Sequence, residues 1–251
     1  MRAVRAFFLL GRNIDKEGIV CYNLKNEKKV MGERMKTTFL LIRHGQSMAN
    51  AADLCAGYSD FPLSELGRKQ ADACAEALRD VHIDAVYASD LCRAFVTADA
   101  HARLRGLVTV PCKGLREVYC GDCEGLLVTE MRERYPDLFP GKWNDEFPAF
   151  RFPAGESIPE AALRFEGALR EIAQGECGKT VLIGAHAAVI RAFYARISHL
   201  SDEQCVNELP FPTNASCTTV ELDRDAFTPV SYSVDDYLAD VSGEAASFEK
   251  G

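Results

Sequence analysis

Two histidines and two arginines stand where a fold could bring them together. Ile42-Arg43-His44-Gly45 and Ile183-Gly184-Ala185-His186 each carry an apolar run into a histidine. A third run, Val86-Tyr87-Ala88, leads through Ser89-Asp90-Leu91-Cys92 to Arg93. If the three runs are neighbouring parallel strands, their carboxyl ends converge, and sites form at such ends. Guanidinium forks and imidazolium edges on one point suit a phosphoryl group best. The glycines beside His44 and before His186 are expected to let backbone approach the ligand closely.

The elements around these residues read as strand alternating with helix. Thr38 to Ile42 is a continuous apolar run, as for a strand buried on both faces. Ser64 is the expected N-cap of a helix running to about Asp80. A short strand follows at 84–88, then a helix at 91–104 with Ser89 and Asp90 as candidate caps. Segments 107–110 and 114–118 read as extended. Ser157 and Glu160 form a capping-box pair for a helix to about Gln174. A strand at 180–184, a helix at 186–197 and strands at 216–222 and 230–234 complete the pattern. Such alternation predicts an α/β fold of three layers, α/β/α, with a mostly parallel sheet and helices on both faces. Residues 121–156 break it with prolines, aromatics and the only tryptophan, Trp143. They read as a small cap insert, irregular apart from a helix at about 127–135.

The chain has 251 residues and a net charge of −8. That length fits one large α/β domain, here 36–240, with a frayed tail at 241–251. An acidic chain gives no reason to expect nucleic acid or an anionic membrane as partner, and no apolar run approaches the length of a membrane span. The first apolar stretch is too short for a secretory signal, so the cytoplasm is the expected compartment. Residues 1–36 are basic, net +5, whereas 37–251 carry −13. Met35 directly precedes the first confident strand; residues 1–35 read as an N-terminal extension, with Met35 the expected natural start and 1–34 not natively translated. The competing reading is a basic arm docked on the acidic body. The ten cysteines are scattered and read as unlinked buried thiols. Only Cys120 and Cys123 form a C-x-x-C, open to a redox role.

Arg43-His44-Gly45-Gln46-Ser47, with Asn50 beyond it, resembles the signature of the histidine phosphatase superfamily, which includes the cofactor-dependent phosphoglycerate mutases. The resemblance continues through Gly57, Asp60-x-Pro62-Leu63-Ser64-x-x-Gly67 and Ala88-Ser89-Asp90-Leu91-x-Arg93. Leu115-Arg116-Glu117, Gly155-Glu156-Ser157 and Ala185-His186 extend it to about residues 37–234. The resemblance implies a phosphoglycerate mutase-like fold and a set of roles. His44 would be the nucleophile that becomes phosphohistidine, since neutral imidazole attacks phosphorus and holds the group covalently. Arg43, Arg93 and His186 would clamp the phosphoryl oxygens. Asn50 and the backbone near Gly57 and Ala187 would add hydrogen bonds. Glu117 would protonate the leaving alcohol and then activate water. No metal or other cofactor is needed, because the arginines and histidines supply the positive charge.

The chain departs from the pattern after the acid. Many phosphatases of the family carry an aromatic-Gly-x-Trp-Glu-Gly stretch; here it reads Cys120-Gly121-Asp122-Cys123-Glu124-Gly125. The insert holds Arg132, Arg134, Lys142 and Arg151 against a larger number of acids, which suits the phosphatase branch, α-ribazole phosphatases included, better than a mutase. A small phosphorylated metabolite is the expected partner, with Trp143, Glu156 and Ser157 as candidate pocket residues. A homodimer is one open assembly state. The readings kept beside a phosphomonoesterase are a phosphoglycerate mutase and a non-catalytic phospho-ligand or protein-binding module on the same fold.

Overall fold

A computed structural model describes residues 36–138 and 147–241. The expectations for residues 1–35, for Trp143 and for the tail beyond Val241 lie outside the described residues.

The chain runs β1 (Thr37–Arg43), α1 (Met48–Ala51), α2 (Glu65–Ala77), β2 (Ala85–Ala88), α3 (Cys92–Arg105) and β3 (Thr109–Pro111). Then come α4 (Val128–Arg134), α5 (Ile158–Gly175), β4 (Thr180–Ala185), α6 (Ala187–Ile197), α7 (Asp202–Glu208), β5 (Cys217–Asp223) and β6 (Ala226–Val234). The sheet order is β3-β2-β4-β1-β5-β6. The first four strands in that order are parallel, and β5 and β6 add an antiparallel edge.

The apolar run of β1 explains the layers. Phe39 and Leu41 point into one core with Phe165, Leu169 and Phe193 of α5 and α6. Leu40 and Ile42 point into the other with Cys74 of α2 and Ala98 and Ala102 of α3. Alternation along a strand sends successive side chains to opposite faces, so a strand covered on both sides is apolar throughout. The fold is a three-layer α/β/α sandwich.

The helix caps were partly visible. Ser64 accepts from Gly67 N at 3.0 Å, and Ser157 with Glu160 forms the capping box of α5. The start of α3 differs from expectation. Neither Ser89 nor Asp90 caps it: Asp90 pairs with Arg116 at 2.5 Å. The first N–H, that of Cys92, goes instead to Asp60 Oδ1 at 2.7 Å. A cap from a distant loop cannot be read from the helix's own flank. Segment 114–118 is not a strand either. Its start is a 3-10 turn, Lys113–Leu115, and Arg164 ties its carbonyls down with a side chain, as described below. Helices α1 and α7 were not anticipated.

Two glycine expectations are corrected. A Cβ on Gly45 would lie 2.2 Å from Gly67 O, and one on Gly67 would lie 2.0 Å from Gln46 O. The loop after β1 is therefore seated on the N-terminus of α2, and these glycines serve that approach rather than a ligand. A Cβ on Gly184 would meet Ala94 O and the Ala98 Cβ, each at 2.7 Å. That glycine lets α3 pack on the sheet.

Candidate active site

Register places the chemistry. β4 lies between β2 and β1, with Arg43 opposite Ala185 and Ala88 opposite Gly184. The next residues after β1 and β4 are His44 and His186, so their rings meet at the carboxyl edge of the sheet. The centroids are 5.2 Å apart and the planes cross at 66°. A cavity of about 100 Å³ opens there, and its lining includes Arg43, His44, Asn50, Gly57, Arg93, Glu117 and Ala187. His186 itself is fully buried, its ring edge-on to that of His44.

His44 is 4% exposed. Its Nδ1 lies 2.7 Å from Gly45 O. A carbonyl only accepts, so Nδ1 carries the hydrogen and Nε2 keeps its lone pair. Burial first, then the charges of Arg93 and Arg43, hold this imidazole well below its ordinary pKa. His186 is lowered likewise, by burial, then Arg93 and His44. Both rings are therefore neutral near pH 7 before a ligand binds, not the imidazolium edges that the residue types first suggested. Both ring nitrogens of His186 are buried and without a hydrogen-bond partner among the described residues.

The two arginines are fixed by main chain. Arg43 Nη1 donates to Pro212 O. Arg93 donates to Ser59 O at 2.9 Å, Ala56 O at 2.7 Å and Gly57 O at 2.8 Å. Its Nε–H and one Nη1–H remain for a ligand. Gly57 is the pivot of that loop: an added Cβ would lie 2.3 Å from Val118 O and 2.5 Å from Glu124 Oε1. Asn50 Oδ1 accepts from Ser47 N and Ser47 Oγ, at 3.1 and 3.0 Å. What Asn50 can offer a ligand is its Nδ2 amide.

Glu117 sits against the N-terminus of α6. Its oxygens accept from Ala188 N at 3.1 Å, Val189 N at 3.2 Å and Val118 N at 2.9 Å. A carboxylate at a helix N-terminus meets free N–H groups and the positive end of the dipole.

Glu156 and Ser157 do not line the cavity. Glu156 pairs with Arg164, Nε to Oε1 at 2.8 Å, and also accepts from Tyr119 N at 2.9 Å. Arg164 donates onward to Gly114 O, Arg116 O and Glu117 O at 2.9–3.0 Å. Glu156 thus acts on Glu117 through Arg164, and Ser157 is committed to its cap.

Sequence reasoning missed several residues that hold the site. Glu124 accepts from Tyr58 N, Ser59 N, Ser59 Oγ and Cys120 N at 2.6–3.1 Å. Its Glu-Gly step was in view in the motif after the acid, which was the one available signal. Asn214 Nδ2 donates to His44 O at 3.0 Å, and Thr97 Oγ1 accepts from Gly45 N at 3.1 Å. Thr97 belongs to the stretch Arg93-Ala94-x-x-Thr97-Ala98 that extends the resemblance, without a role read for it, whereas Asn214 did not stand out in the sequence. The cysteines among the described residues are all free. The Cys120 thiol meets Cys55 rather than Cys123, and burial raises its pKa well above the ordinary thiol value.

The histidine phosphatase superfamily (branch 1) matches residues 39–235. Phosphoserine phosphatase 1 of Hydrogenobacter thermophilus is 33% identical over 158 residues, 63% of this chain and 74% of that protein. The 2,3-bisphosphoglycerate-dependent phosphoglycerate mutase 2 of Gloeobacter violaceus is 34% identical over 173 residues, 66% and 77% of the two chains. Among solved structures, Bacillus stearothermophilus YhfR superposes with a TM-score of 0.74 at 28% identity, over 80% of this chain and 99% of that one. With two histidines, two arginines and a glutamate gathered at one sheet edge, and with the match running across the whole described domain, this chain belongs to the histidine phosphatase superfamily.

Proposed function

We propose that the chain is a phosphomonoesterase that hydrolyses a small organic phosphate through a phosphohistidine on His44. The observation that carries this reading is the fixed tautomer of His44. Its Nδ1–H is held by Gly45 O while the ring stays neutral beside two arginines. Nε2 is then a nucleophile set in an electropositive cavity. In the first step Nε2 forms the bond to phosphorus as the ester oxygen leaves, taking a proton from Glu117. In the second, Glu117 takes a proton from water, the oxygen attacks phosphorus, and the phosphorus–Nε2 bond breaks. The sum is ester plus water to alcohol plus phosphate, with His44 and Glu117 restored.

Arg43 and Arg93 counter the charge that spreads over the phosphoryl oxygens. A phosphoryl oxygen would also supply a partner for the buried His186 ring, which otherwise has none among the described residues. The positive charge comes from protein side chains, so the reaction is expected to run with chelator present. No helix of the described residues is long and apolar enough to cross a membrane, and free thiols suit a reducing compartment; the cytoplasm is the proposed location. The test is metal-free hydrolysis of a panel of phosphomonoesters that includes phosphoserine, 3-phosphoglycerate and ribazole phosphate, with His44→Ala as control. Phosphate release lost in the variant supports the reading. No release by a folded protein, with mutase activity on priming by a bisphosphoglycerate, would replace it with the mutase reading.

A further inference from the structure

The cavity has two unlike halves. One is the phosphoryl end with Arg43, His44 and Arg93. The other is walled by Leu54, Cys55, Val118, Cys120, Phe152 and Phe211, with the acidic Asp53 beside Leu54. Apart from Asp53, which repels an anionic group further, these side chains carry no charge. The Cys120 thiol is buried, donates to Val118 O at 3.5 Å and meets Cys55, so it stays an S–H.

The wall is backed by packed side chains. The Phe152 ring packs edge-on against Phe150, 4.9 Å between centroids. Phe211 is backed by Arg191, whose guanidinium carbon lies 4.3 Å from the ring centroid, and by Phe147 at 5.0 Å. Arg191 is fully buried and lies behind the ring.

Of the arginines near this half, two are paired, and Arg191, whose Nε and Nη1 have no hydrogen-bond partner among the described residues, does not line the cavity. Arg116 is bound by both oxygens of Asp90, at 2.6 and 2.5 Å. Arg164 is bound by both oxygens of Glu156, each at 2.8 Å. Among the described residues lining the cavity, Arg43 and Arg93 are the only cations, and both belong to the phosphoryl end. A carboxylate or second phosphate on the leaving group would be moved from water to thiol, methyl and phenyl surface with no counter-charge, which is costly. An uncharged apolar group would gain by the same move.

Resting on the phosphatase reading, we infer that this half is the leaving-group subsite and that it selects phosphate monoesters of uncharged, largely apolar alcohols over anionic ones. Leu54 is half-buried at this wall and is the place where a new cation would reverse the choice.

The experiment compares phenyl phosphate with 4-carboxyphenyl phosphate on the full chain, and repeats both with Leu54→Arg and with His44→Ala. The expected kcat/KM is about tenfold or more higher for phenyl phosphate, as befits a pocket that leaves the carboxylate unpaired. Leu54→Arg is expected to shrink or invert that ratio, with a larger gain for the carboxyphenyl ester than for phenyl phosphate. Equal or better use of the carboxyphenyl ester by the wild type overturns the inference and leaves the phosphatase reading standing. Failure to hydrolyse either ester above the His44→Ala background overturns both.

Discussion

Glu124 and Arg93 hold the same loop, 56–59, one by its N–H groups and the other by its carbonyls. Glu124 takes Tyr58 N at 2.7 Å and Ser59 N at 2.8 Å. Arg93 gives to Ala56 O, Gly57 O and Ser59 O. The loop is thereby a splint between a carboxylate and the guanidinium that faces the cavity. Glu124→Gln turns one acceptor into a donor against N–H groups, whichever way the amide points. The expected result is a kcat/KM lower by about 10- to 100-fold, the scale of a small misplacement, with weaker inhibition by vanadate. A variant that loses only thermal stability, with vanadate inhibition intact, would show that Glu124 does not position Arg93.

Gly57 is the point where that loop passes closest to its neighbours. A methyl group there would press on Val118 O and on Glu124 Oε1. Gly57→Ala is expected to cost roughly 1–3 kcal/mol of stability, the range for overpacking, and to weaken phosphate binding as well. Chemical denaturation and phosphate inhibition measure the two effects. Wild-type values for both would contradict the tight approach.

Glu117 is assigned to proton transfer, so its loss should depend on the leaving group. Glu117→Gln is expected to slow alkyl phosphates by about 100- to 10,000-fold. p-Nitrophenyl phosphate, whose leaving group needs little protonation, should lose much less in the step that forms the phosphoenzyme. Single-turnover kinetics isolate that step. An equal loss for both esters would count against Glu117 as the acid.

Acid sensitivity follows from the buried histidines. His101 is fully buried, and neither ring nitrogen has a partner among the described residues. Burial, and then the charge of Arg105, pull its pKa down to about 3. Above about pH 6.5 the ring is neutral folded or unfolded, and it adds no pH dependence. As pH falls from there, the unfolded chain binds a proton that the folded one refuses until about pH 3. Stability should therefore drop by about 1.4 kcal/mol per pH unit from this group, with His44 and His186 acting in the same direction. Urea unfolding at pH 7 and at pH 5 tests it. His101→Leu should flatten the slope, and an unchanged slope would remove His101 as the cause.

Local patterns revealed most strands and helix stretches and the convergence of two histidines and two arginines, because each rests on neighbours in sequence; Glu117, Asn50 and Gly57 came from the family resemblance. Apolar Phe39 to Ile42 requires cover on both faces whatever the rest of the chain does. Arg43 and His44 follow directly, and the parallel order of β1, β4 and β2 brings His186 and Arg93 to them. What escaped notice depends on distant partners. Glu124 is 66 residues from Tyr58, Asn214 is 170 from His44, and Asp60 caps a helix across 32 residues. Glu156 drew attention through its Gly-Glu-Ser motif, yet its carboxylate belongs to Arg164. Helix α7 is a different case. Ser201 and Gln204 form a capping box there, a local signal that was legible and passed over.

The central claim is that His44 carries the phosphoryl group on Nε2. Rapid mixing with a fast aryl phosphate, an alkaline denaturing quench and peptide mapping would locate the group. Phosphorus and nitrogen NMR of the trapped protein would then name the ring atom. The account predicts phosphate on Nε2 of His44, because Gly45 O holds the Nδ1 hydrogen. Phosphate on Nδ1, phosphate on His186, or no phosphoenzyme under conditions of steady turnover would contradict it.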